Sequence, residues 1–171
     1  AISRYHNLSN AFITEILKAN AAIINSNRNI FGKKADLILI DEIELHFKKN
    51  PDKLKENLYL KYYYNSIKLF ETEDEKYFNV LSGIVKDDLE QLERTLRRDL
   101  LTLLTNYCYY KINKGELKFM KEQFRFFKLN IEKKMYLADS DFIPHILFMN
   151  VVTCGLDSGE FKWIKEFITN Y

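Results

Sequence analysis

Two stretches of this chain align without a gap 44 residues apart. Residues 106–122 read NYCYYKINKGELKFMKE and residues 150–166 read NVVTCGLDSGEFKWIKE. Asparagine, Gly-Glu, lysine, an aromatic, an aliphatic-like residue and Lys-Glu fall at matching positions. A fainter third copy lies 41 residues upstream, where Asn65 aligns with Asn106, Glu75 with Glu116 and Phe78 with Phe119, and Asp74 takes the glycine's place. Each copy reads as helix, tight turn, helix. The glycine supplies the left-handed residue that closes the first helix. The glutamate after it sits at the electropositive start of the second. One such hairpin cannot bury both sides of its first helix, whereas stacked hairpins can, so this period predicts stacking. Leu100, Leu101, Leu103, Leu104, Tyr107, Cys108 and Ile112 cover more than one helix face, as a covered helix requires.

The rest of the chain follows the same periodicity. Apolar residues recur three and four apart nearly throughout. With 5 Gly and 2 Pro in 171 residues, the turn density of an all-β sandwich is missing. The expectation is all-α, with eight helices in four antiparallel pairs. The first spans about 3–25, with Leu8, Phe12, Ile16 and Ile23 inward. The second spans 33–49 through Leu37, Ile40, Ile43 and Phe47. Asn50-Pro51 starts a third that runs to Phe70 through Leu54, Leu58, Tyr62 and Leu69. Thr72 caps a fourth, with Glu75 completing a capping box. Asp88-Leu89-Glu90-Gln91 offers a second such box for a helix reaching Lys114. A sixth runs from Glu116 to Met135. A seventh is capped by Asp139-Ser140-Asp141, and an eighth begins at Glu160. The hairpin units fall at 3–49, 50–86, 88–135 and 140–171 of a single domain covering 1–171.

From about residue 50 onward, the repeated Asn…Gly-Glu unit resembles tetratricopeptide-like and related α-helical repeat proteins. The resemblance is architectural. The period of 41–44 lies nearer to HEAT-type units than to the tetratricopeptide length of about 34, whose fixed Trp, Leu-Gly, Tyr and Ala positions are not reproduced. It implies an α-solenoid whose curved surface holds other proteins. In armadillo and some tetratricopeptide-like proteins, asparagines repeated on inner helices bind a peptide's backbone or carboxylate. Asn65, Asn106 and Asn150 match that pattern, since an amide offers both donor and acceptor. A hydrogen bond repeated within each unit would give the same spacing.

Aromatic runs supply further binding candidates: Tyr62-Tyr63-Tyr64; Tyr107, Tyr109 and Tyr110; Phe124, Phe126 and Phe127. Three adjacent rings on a helix point in different directions, so some tyrosines, with Tyr62, Tyr107 and Tyr110 as candidates, are expected to line a groove. Packing between repeats is the competing reading. Charge alternates in blocks. Residues 36–93 hold 8 basic and 14 acidic side chains, and 94–134 hold 11 basic and 4 acidic. The basic 94–128 face is the one feature suggesting a nucleic-acid partner. Its interspersed Asp99, Glu116 and Glu122, and a whole-chain charge of +2, argue instead for a solvated face or a charge match to the acidic 36–93 block in another copy or partner.

No catalytic constellation, metal-ligand spacing or phosphate loop is legible, and no cofactor is expected. His6, His46 and His145 are far apart, and Glu42 with His46 reads as an ordinary helical ion pair. Cys108 and Cys154 read as reduced core thiols of a cytoplasmic protein. The longest apolar runs, Leu37-Ile38-Leu39-Ile40 and Ile146-Leu147-Phe148-Met149, fall far short of the ~20 residues of a membrane span. The chain begins at Ala1 without methionine and stops inside a helical pattern, so a segment of a longer protein is expected. The functional expectation is therefore a non-enzymatic scaffold that binds a protein or peptide.

Overall fold

The computed structural model describes residues 2–26, 36–138 and 142–171, with side chains placed for 9–24, 36–136 and 142–171. All regular structure among these residues is helical. The chain divides into two compact units, Ala1–Asp87 and Asp88–Tyr171. That boundary falls where the sequence places the junction between the second and third hairpins.

The first unit contains α1 (Ile2–Ser26), α2 (Ile40–Lys49), α3 (Asp52–Glu56), α4 (Leu58–Thr72) and α5 (Glu75–Asp87). α4 lies at its centre, packed against α1, α3 and α5. The buried stripe of α1 is Ile13, Leu17, Asn20 and Ile24, while Phe12 is 63% exposed. The inward face is therefore turned one residue from the expected one. Asn20 explains the turn. Its amide is wholly buried because Nδ2 donates to the Ile38 carbonyl and Oδ1 accepts from the Ile38 N–H, both at 2.8 Å. A polar residue inside an apolar stripe is tolerated when every hydrogen bond is made. Residues 36–39, expected to be helical, instead form a turn with Leu39 left-handed at φ 52°; residues 33–35 lie outside the described residues.

The long helix expected over 51–70 is broken. Asn57 is extended and accepts the Leu60 N–H at 3.1 Å, so it caps α4 and ends α3. The cap between α4 and α5 also moves. Thr72 is the last residue of α4, Glu73 takes the left-handed conformation at φ 56°, and Asp74 accepts the Lys76 N–H at 2.9 Å. The third copy thus turns one residue earlier than its alignment implies. Lys68 bridges α4 to α2 through ion pairs with Glu44 and Glu71. Burial alone would lower its pKa, but the hydrogen bonds it donates to Glu44 and Glu71 outweigh that and raise it.

The second unit contains a 3-10 turn (Leu89–Gln91), α6 (Arg94–Asn113), α7 (Phe119–Glu132), a 3-10 turn (Met135–Ala138), α8 (His145–Asp157) and α9 (Phe161–Asn170). The Asp88 box forms that 3-10 turn, with Gln91 donating to the Asp88 carboxylate at 2.7 Å, and α6 starts only at Arg94. The Asp139-Ser140-Asp141 cap lies outside the described residues. Each helix packs on the next: α6 on α7, α7 on α8, α8 on α9. Phe124, Phe127 and Ile131 of α7 share one core with Val151 and Cys154 of α8 and with Ile164 and Phe167 of α9.

The two strong copies close their first helices with the same pair of bonds, although α9 begins two residues sooner after its glycine than α7 does. Gly115 and Gly159 are left-handed, with φ 88° and 78°. The Gly115 N–H bonds the Ile112 carbonyl at 2.8 Å and the Glu116 N–H bonds Lys111 at 3.0 Å; the Gly159 N–H bonds Leu156 at 3.0 Å and the Glu160 N–H bonds Gly155 at 2.9 Å. Every partner is displaced by the same 44 residues. This pair of bonds is the Schellman closure that the Gly-Glu sequence predicts.

Candidate functional site

The matched turns make α6 and α8 equivalent helices, so Asn106 and Asn150 occupy one position of two hairpins. Asn106 is half-buried and Asn150 exposed. Asn65 belongs to the other unit and differs from both. It is buried, and its Nδ2 donates to the Lys61 carbonyl one turn back at 2.6 Å. For Asn65 the internal hydrogen bond is the one formed.

The tyrosines separate in the same way. Tyr107 is completely buried, with its ring edge-on to Phe119 at 5.6 Å, and Tyr62 is buried edge-on to Tyr63 at 4.9 Å. Both are core residues, which corrects the expectation that they line a groove. Tyr110 is half-buried under Lys114 Nζ, 4.3 Å from the ring centroid. Tyr109 is the exposed ring of the run, at 61%.

α8 is apolar nearly all round. Val151, Cys154 and Gly155 face inward, while Ile146 and Met149 remain exposed and flank Asn150. An all-round apolar helix is normally covered on every side. The signal was present in the sequence, since four successive apolar residues at 146–149 cannot all point into one core. On α6, Thr102 and Tyr109 are exposed on the corresponding face.

Polar bonds hold the three helices in place. Gln123 of α7 is buried, donates to the Thr105 carbonyl of α6 at 3.3 Å and accepts from the Cys154 thiol of α8 at 3.4 Å. Ser158 donates to the Met120 carbonyl at 3.3 Å. Burial pushes the Cys154 thiol up to about 11 and raises that of Cys108 further. Both are protonated, unreactive thiols at neutral pH, as the sequence suggests.

The basic face is largely paired. Arg97 and Lys133 both bond Glu90, Lys111 pairs with Glu116, Arg125 with Glu122 and Lys128 with Glu132. Hydrogen bonding to Lys133 leads the influences on Glu90 and holds its carboxyl below the ordinary range. Burial, then Lys53, lowers the pKa of His46, which disfavours the cationic form that an ion pair with Glu42 needs. Among the described residues no group of His, Cys, Asp or Glu could hold a metal ion, and no helix is long and apolar enough to cross a membrane. No protein-family model matches the chain, nor does any curated protein or solved structure.

Proposed function

We propose that the chain is a helical-repeat scaffold, an α-solenoid segment that holds an extended peptide of a partner protein along matched faces of α6 and α8. The observation that carries this reading is the shared pair of helix-closing bonds at Gly115-Glu116 and Gly159-Glu160. It supports reading Asn106 and Asn150, each nine residues before its turn glycine, as matched contacts for a ligand with a repeating backbone. Ile146 and Met149 beside Asn150, and Tyr109 on α6, supply apolar contact. The amides supply donors and acceptors for a peptide's main chain. Paired lysines and arginines leave the nucleic-acid alternative without a specific observation in its favour.

The test is selection of a displayed random-peptide library on the full chain, followed by affinity measurement with the enriched peptides. The double variant Asn106→Ala, Asn150→Ala is expected to weaken binding at least about tenfold, a loss of about 1.4 kcal/mol. The thermal midpoint should change far less than the affinity, since Asn150 is exposed and Asn106 only half-buried. Failure to enrich any peptide, or undiminished affinity in the double variant, would overturn the reading. Tight duplex binding that falls steeply with salt would favour nucleic acid instead.

A further inference from the structure

A second surface, independent of the peptide-binding reading, follows from the repeat. α7 contacts the next hairpin through Phe124 and Phe127. The Phe124 ring meets Trp163 edge-on at 5.3 Å, and its Cε2 lies 2.9 Å from where a Cβ on Gly155 would be. Phe124 therefore enters a notch that exists because residue 155 has no side chain. Displaced by 44 residues, Phe124 becomes Ile168 of α9. Phe124 is 5% exposed and Ile168 is 50% exposed. The same change runs through the first helices: Leu104 and Cys108 of α6 are fully buried, whereas their counterparts Phe148 and Val152 of α8 are only half-covered. A repeat that meets water on its outer side needs polar residues there.

We infer that the outer face of the α8–α9 hairpin is a stacking face, and that it accepts one further antiparallel helix pair built like α8–α9. The interface continues the one already formed between α7 and the α8–α9 pair. The occupant's chemistry follows from that interface. Its first helix carries a glycine at the position of Gly155 to admit Ile168, and its second carries large apolar residues at the positions of Trp163 and Ile164.

The period makes the experiment direct, because Lys128 is the counterpart of the position after Tyr171. Residues 128–171 are duplicated by appending a second copy after Tyr171. The extended chain is then compared with the original by far-ultraviolet circular dichroism and urea unfolding. The added pair is expected to fold onto α9, raising the helical signal by about a quarter (44 residues added to 171) and, with the tryptophan of the appended copy replaced by phenylalanine, unfolding together with Trp163. Ile168→Asp should abolish that gain in the extended chain and leave the original chain's midpoint unchanged, because Ile168 is exposed there. An appended copy that adds no helix, or that unfolds alone whether or not Ile168 is present, overturns the inference. Light scattering of the original chain supplies the second arm. A monomer agrees with the inference; a dimer abolished by Ile168→Asp assigns the face to a second copy of the chain and overturns it.

Discussion

Replacing Gly155 with alanine tests the close approach of α8 to its neighbours. An added Cβ would sit 2.3 Å from Cδ1 and 2.5 Å from Cγ1 of Ile164, and 2.9 Å from Phe124 Cε2. Ordinary carbon contacts are about 3.5–4.0 Å, so these atoms must move by roughly 1 Å. They have little room, because Ile164 and Phe124 are themselves buried. Overpacking of this kind costs about 1–3 kcal/mol. Alanine returns about 0.5–1 kcal/mol through its better helix propensity. The net expectation for Gly155→Ala is a loss of about 1–2 kcal/mol. Gly83 is the control, since it lies inside α5 and a Cβ there would meet nothing within 4 Å. Gly83→Ala should stabilise its unit by about 0.5–1 kcal/mol. Urea unfolding distinguishes the two. Trp163, the chain's single tryptophan, reports on the Asp88–Tyr171 unit alone, and circular dichroism reports on both units. If Gly155→Ala matched or exceeded the stability of the parent chain, the notch would not exist as described.

Other outcomes follow from the first unit. Asn20→Ala strips both hydrogen bonds from the Ile38 backbone and should cost about 1–3 kcal/mol in chemical denaturation; a neutral result would show that the clasp is not made in solution. Tyr64 packs edge-on to Phe47 at 5.1 Å, and burial, followed by Glu44, pushes its phenol up to about 12 from an ordinary 10.0. A raised folded-state pKa favours the protonated form. Its stabilisation is therefore complete below pH 10 and is lost as pH rises from 10 towards 12. Tyr64→Phe should flatten that part of the alkaline unfolding profile, and identical profiles would refute the assignment.

The sequence revealed the turns better than the faces. Gly115-Glu116 and Gly159-Glu160 announce their geometry because a left-handed residue is cheap only for glycine. Asp74, in the weak copy, carries no such constraint, and the turn slipped to Glu73. The register of α1 was obscured because two apolar stripes overlap, and the true one contains Asn20. Only its distant partner, Ile38, makes that position acceptable, and no local pattern encodes the pairing. Asn57 was hidden inside an otherwise continuous helical period, since the proline at 51 drew the start signal to itself. The candidate site was half legible. The common spacing of Asn106 and Asn150 from their turn glycines is read directly from the sequence, whereas the burial of Tyr62 and Tyr107 depends on neighbouring helices that spacing does not specify.

The translational repeat itself is tested most directly by inserting one whole period. Residues 115–158 are duplicated in place, so that a second Gly115 follows Ser158 where Gly159 stood; a control insert is one residue shorter. The account predicts that the 44-residue insert keeps a single sharp unfolding transition with added helical signal, while the 43-residue insert broadens or loses it. Equal behaviour of the two inserts, or collapse of both, would contradict it.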